Sequence, residues 1–219
     1  MAKKTAPMTP AQIRAAIEQC IDSVHASTNG SPIPIADWYA TTYEDIRKHF
    51  ADITACKGWN SSSVRLGFLI VYGWMPTSIR SFDHDKAAEL ETYLNTEVND
   101  DNMAKVAANH DEMVKLAAQI ANNSLVGGSK FLHFYDPIRF PITDSVLQLL
   151  TGKPSQYLNN NVELYQSYRA AVEQVSKHHR ELAEEWANAA FQYRVTATRA
   201  IEALCFYAMK GEKATVKTK

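Results

Sequence analysis

Apolar residues recur along most of the chain at intervals of three and four, the spacing of one face of an α-helix. Ile13, Ile17, Cys20, Ile21 and Val24 share such a face. Thr9-Pro10 before them supplies an N-cap and first-turn pair, and Asn29-Gly30 a stop. Pro32 and Pro34 then set an extended connector, SPIPIADW. A second helix carries Tyr43, Ile46, Phe50 and Ile53 on one face and stops near Gly58. Ser61-Ser62-Ser63 next caps VRLGFLIVYGW (64–74), which Pro76 ends. Periodicity alone does not separate a buried helix from a strand in so apolar a run. Its neighbours are helical and no partner strand is visible, so it is read as a buried central helix in which Gly67 allows close packing.

The pattern continues with a short helix over 84–96 and a stripe of Met103, Val106, His110, Met113, Ala117 and Ile120. Tyr165, Tyr168, Val172 and Val175 mark a further helix. Leu182, Trp186, Ala189, Tyr193, Ala197, Ala200, Leu204 and Ala208 predict one continuous helix of about thirty residues. The chain is therefore expected to be all-α: a flexible N-terminus over 1–8, a compact multi-helix domain over 9–209, and a flexible basic tail over 210–219.

Composition narrows the partners. A length of 219 residues suits one large domain or two small helical lobes with a real core. Lys+Arg 23 against Asp+Glu 24 gives a net charge of −1, so any contact with double-stranded DNA must come from a local basic patch. Cys20, Cys56 and Cys205 are scattered without ligand spacing and are expected to be reduced. MAKKTAPMTP lacks the apolar stretch of a signal peptide, and Leu66–Met75 is too short to span a bilayer. These features predict a cytoplasmic protein with no membrane partner.

The chemistry-bearing segment is Ser124–Thr151, SLVGGSKFLHFYDPIRFPITDSVLQLLT, within a candidate hairpin motif over 113–151. The preceding helix is expected to end at Asn122-Asn123, leaving Leu125-Val126-Gly127-Gly128 to turn sharply and Ser129-Lys130 to start the helix SKFLHFY. Free amides at such a turn would hold one phosphate. Pro137 and Pro141 bound the next crossing, Thr143 or Asp144 caps the helix DSVLQLL, and Gly152 closes it.

These residues resemble the helix-hairpin-helix DNA glycosylases, and in particular the 8-oxoguanine glycosylase-like branch. Leu125–Lys130 is similar to the hairpin and its lysine, Phe131-Leu132-His133-Phe134 to the apolar turn with a His-Phe pair, and Ile142–Ser145 to the aspartate segment. The resemblance spans roughly thirty residues of the chain; the glycines are adjacent where the family spaces them, and Asp144 follows Lys130 by fourteen residues. It implies a DNA N-glycosylase with an associated lyase step, acting on a modified purine. Lys130 would be the nucleophile and Asp144 its electrostatic partner, with Gly127, Gly128 and Ser129 holding a DNA phosphate. Trp74, His133, Phe134 and Tyr135 would wall the pocket of the extruded base.

Each residue also has a plainer reading. Gly127-Gly128 can be an ordinary tight connection, Lys130 a surface residue, Asp144 an N-cap and His133 a hydrogen-bonded core histidine. Ser81–Asp85 and His178-His179-Arg180 read as helix caps and junctions, so no metal site is expected, and no cofactor. GGSK lacks the phosphate-loop spacing and a preceding strand, which excludes a nucleoside triphosphatase. The alternative function is a non-catalytic helical module that binds nucleic acid or a protein partner.

Overall fold

The computed structural model describes residues 8–28, 37–75, 77–96, 103–152, 161–191 and 193–216. These form α1 (Pro10–Thr28), α2 (Asp37–Asp52) with a π-helical turn (Ile53–Lys57), α3 (Ser61–Trp74), α4 (His84–Thr96), α5 (Met103–Ile120) and α6 (Leu125–Tyr135). A 3-10 turn (Leu147–Thr151) follows, then α7 (Val162–His178), α8 (Arg180–Phe191) and α9 (Ala197–Val216). Among the described residues the fold is all-α, its β-structure limited to an isolated bridge between Phe82 and Ala121. The stop at Asn29-Gly30, most of the proline connector and Pro76 lie outside the described residues. No helix among the described residues is long and apolar enough to cross a membrane.

Internal contacts group the chain into two units, a central one (Ala36–Ile142) and a terminal one (Met1–Ile35 with Thr143–Lys219). In the central unit α6 packs against α5, α3 and α2, and α4 bridges α5 and α3. Its core is aromatic. Phe131 of α6 stacks on Phe68 of α3 at 4.5 Å between centroids and meets Phe50 and Trp59 edge-on. Each fully buried phenylalanine contributes on the order of 1.5–3 kcal/mol of transfer free energy. Gly67 makes the contact feasible, because a Cβ there would lie 2.7 Å from the Phe131 ring.

Segment 64–74 is a helix, as its helical neighbours imply, but only one face is buried. Val64, Gly67, Phe68, Val71 and Tyr72 point inward, whereas Leu66 and Leu69 are about half exposed, at 48% and 58%. Its cap is Asn60, one residue before the expected serines: Asn60 Oδ1 accepts from the Ser62 and Ser63 amides, and Ser63 Oγ accepts from the Asn60 amide.

In the terminal unit α1 packs against α7 and α9, with α8 and the 3-10 turn against α9. Ile13, Ile17, Cys20, Ile21 and Val24 are buried, as the spacing requires, and so are Tyr165, Tyr168, Val172 and Val175. Thr9 and Gln12 cap α1 reciprocally: the Thr9 amide donates to Gln12 Oε1 and the Gln12 amide to Thr9 Oγ1. The single long helix expected over 182–208 is two helices. Thr196 Oγ1 accepts from the Arg199 amide and so starts α9 afresh, with β-branched Val195 and Thr196 at the break. Leu182 turns partly outward, and Ala183, Trp186, Ala187, Ala190 and Phe191 form the buried face of α8. The expected tail from 210 is helical to Val216; Lys217–Lys219 lie outside the described residues.

Two tyrosines make this unit alkali-sensitive. Burial pushes the Tyr165 and Tyr168 phenols well above the ordinary value near 10, and the Glu202 carboxylate adds to the shift at both. A group whose folded-state value is raised stabilises the fold below its unfolded value and loses that contribution as pH rises. Stability should therefore fall as pH climbs above about 10, where unfolded tyrosine ionises. Urea midpoints between neutral pH and pH 11 should fall less steeply for Tyr168→Phe than for the natural chain. Equal slopes would disprove the assignment.

Candidate functional site

The turn expected at the glycine pair lies five residues earlier. Asn122 and Asn123 adopt the left-handed conformation, φ 57° and 48°, and they reverse the chain between α5 and α6. Asparagine tolerates this region because its short side chain can bond locally. Asn122 Oδ1 accepts from the Arg80 and Ser81 amides, and its Nδ2 donates to the Ser78 carbonyl, which pins the 78–81 loop to the turn.

Helix α6 then begins at Leu125, not Ser129. Ser124 caps it, its Oγ accepting from the Gly127 amide at 3.3 Å and its carbonyl from the Gly128 amide at 2.9 Å. Both glycines are buried inside the first helical turns, so the amides offered to a phosphate are already used within the helix. Their role is packing. A Cβ on Gly127 would meet the Tyr72 ring and hydroxyl at 2.5–2.8 Å, and one on Gly128 the backbone of Ala117 and Ala118 at 2.6–2.7 Å. Ser129 is buried, and its hydroxyl donates to the Val126 carbonyl. Tyr72, whose hydroxyl donates to the Ala121 carbonyl, ties the turn to α3. Burial raises its phenol above the ordinary value, against a smaller lowering from its Ser124 hydrogen bond.

Lys130 lies one turn further along α6, half-buried, with Nζ 5.8 Å from the Trp74 ring centroid. Trp74 in turn stacks on Tyr39 at 4.8 Å and meets Phe134 edge-on at 5.3 Å. The face of an indole attracts a cation, and such a pair is worth on the order of 0.5–2 kcal/mol. The Trp74 indole N–H is buried and has no hydrogen-bond acceptor among the described residues.

His133 is fully buried beside this group. Its Nδ1 lies 2.8 Å from the Phe140 carbonyl and its Nε2 2.8 Å from the Tyr43 hydroxyl. A carbonyl can only accept, so Nδ1 carries the proton and Nε2 accepts from Tyr43. Both ring nitrogens are thereby committed to internal bonds. Tyr135 turns elsewhere: its hydroxyl donates to the Leu94 carbonyl and its ring meets Trp59.

The structure therefore gathers Lys130, Trp74, His133 and Phe134 into one neighbourhood and leaves Tyr135 in another. Tyr39 and Tyr43, four residues apart on one face of α2, complete the cluster. Tyr43 was legible as a helix-face residue; nothing in the sequence marked Tyr39 as the stacking partner of Trp74.

Asp144 belongs to the terminal unit. Its Oδ1 accepts from the Val146 amide at 2.7 Å and the Leu147 amide at 2.8 Å. These bonds fold the turn that leads into the 3-10 helix, whose N-cap is Val146 without a side-chain hydrogen bond. An α-helix capped by Thr143 or Asp144 was expected there; Gly152 closes the 3-10 helix at φ 69°. At 81–85, Asp83 Oδ1 accepts from the Asp85 and Lys86 amides and caps α4. No cluster of three or more His, Cys, Asp or Glu suited to a metal ion occurs among the described residues. No family model, curated protein or solved structure matches the chain.

Proposed function

We propose that the chain is a DNA N-glycosylase with a lyase step, using the Lys130 amine as nucleophile against a modified purine nucleotide of the 8-oxoguanine type. The observation that carries this reading is the setting of the amine. Lys130 Nζ lies over Trp74, within an aromatic group that includes Tyr39 and Phe134. An extruded base needs such surfaces to replace its lost stacking. The buried Trp74 N–H would also gain an acceptor from a base carbonyl. In the reaction the neutral Nζ attacks C1′ and the base departs with the electrons of the glycosidic bond, taking up a proton. The C1′–O4′ bond then breaks, O4′ taking a proton as the nitrogen sheds its own, which leaves a Schiff base. The resemblance assigns Asp144 the stabilisation of positive charge on the sugar. Bonds from the Val146 and Leu147 amides fix its Oδ1 locally.

Borohydride trapping on duplexes bearing 8-oxoguanine or an abasic site tests the proposal. A covalent adduct is expected with the natural chain, reduced at least a hundredfold in Lys130→Gln and sharply in Asp144→Asn. The absence of any adduct across a lesion panel, or undiminished trapping by Lys130→Gln, would defeat it.

A second reading is favoured by the engaged Gly127 and Gly128 amides, which remove the expected phosphate clamp. On that reading the chain is a non-catalytic module binding nucleic acid or protein. Salt-dependent DNA binding that survives Lys130→Gln and leaves the DNA intact would select it.

A further inference from the structure

Two of the three cysteines, remote in sequence, meet in the terminal unit. Cys20 lies on the buried face of α1 with Ile17, Ile21 and Val24; Cys205 lies on the buried face of α9 with Ile201 and Leu204. The two helices pack directly, and the thiols are hydrogen-bond partners. Both are reduced and buried, at 8% and 1% exposure, whereas Cys56 in the central unit is exposed. Neither buried thiol has a part in the proposed reaction.

We propose that Cys20 and Cys205 are a disulfide-forming pair that joins α1 to α9 when the protein meets a disulfide oxidant. The pairing is specific. The alternative partner, Cys56, is assigned to the other unit, and helix packing alone brings residues 20 and 205 together. In the reaction one protein thiolate attacks a small disulfide such as oxidised glutathione, releasing one glutathione thiol and leaving a mixed disulfide. The second protein thiolate then attacks the protein sulfur and releases a second glutathione. Two protein thiols lose two protons and two electrons, and one glutathione disulfide gains both as two thiols.

The environment sets the rate. The hydrogen bond to Cys20 and burial together push the Cys205 thiol well above its ordinary value, so little thiolate is present at neutral pH. Oxidation should therefore run through transient opening of the helix pair and accelerate with rising pH. The bond would connect positions near the two ends of the chain. A link closing so long a loop restricts the unfolded state strongly.

The test uses the full-length Cys56→Ser chain, which removes intermolecular linkage through the exposed thiol. It is incubated with oxidised glutathione at pH 8 for several hours, the timescale of uncatalysed disulfide exchange. Peptide mapping without reductant should recover Cys20 and Cys205 peptides joined by a bond that dithiothreitol cleaves. The oxidised chain should migrate faster in non-reducing denaturing gels and melt about 5–15 °C higher. Two free thiols remaining, or glutathione retained on a single cysteine, would overturn the proposal. Borohydride trapping is a separate readout, so neither proposal stands or falls with the other.

Discussion

Replacing Gly128 by alanine is expected to destabilise the protein by about 3 kcal/mol or more, at the severe end for a single added methyl group. The added Cβ would lie 2.6 Å from the Ala117 carbonyl carbon, 2.7 Å from its oxygen and 2.7 Å from the Ala118 nitrogen. These are backbone atoms of α5, so no rotamer change relieves the clash; the two helices must separate. The same replacement at Gly73 is a control. A Cβ there meets nothing within 4 Å, and an exposed helical glycine changed to alanine should gain about 0.5–1 kcal/mol. Urea unfolding with an unchanged m-value measures both. Alanine keeps the backbone N–H, so a glycine retained only to present its amide to phosphate would tolerate the change. A Gly128→Ala chain with natural stability would refute the packing argument.

The contrast between what Gly128 suggested and what it does shows where sequence reasoning held. Periodicity located the helices because a buried face must repeat with the helical turn, and Ile13, Ile17, Ile21 and Val24 obey it without exception. It did not locate the break between α8 and α9. Trp186 and Leu204 are both buried and their spacing fits a single helix, so only the weak capping signal of Thr196 marked the restart. The glycine pair failed as a turn signal because glycine serves two physical ends, unusual dihedral angles and close approach. Here Asn122 and Asn123 supplied the first, and the glycines were left to the second. The candidate site was legible in part for a related reason. Lys130 and Phe134 are one helical turn apart and share a face of α6, but Trp74 and Tyr39 reach that face from α3 and α2. Such convergence depends on helix packing, which no local pattern encodes. Tyr135 parts from its neighbour Phe134, its hydroxyl reaching the Leu94 carbonyl, because successive helical residues point about 100° apart.

Changing Arg199 to methionine should cost roughly 3–5 kcal/mol, a large fraction of the 5–15 kcal/mol that holds a typical domain folded. Arg199 and Glu202 form an ion pair at 2.9 Å between Nη1 and Oε2, with side chains only 6% and 0% exposed. The guanidinium also lies 5.5 Å over the Phe191 ring. Methionine preserves most of the apolar stem, so lost packing is a minor part of the expected effect. The larger part is the broken ion pair: Glu202 would keep its burial and lose the guanidinium 2.9 Å away. Replacing both residues, Arg199→Met with Glu202→Leu, should recover most of the loss, because an apolar pair in this volume carries no desolvation penalty. The double-mutant cycle therefore separates a pair that stabilises from one that is merely costly to break. A melting temperature lowered by roughly 10 °C in the single variant, largely restored in the double, is the expected result. A single-variant loss below about 1 kcal/mol would place the pair among solvated ion pairs and contradict its burial.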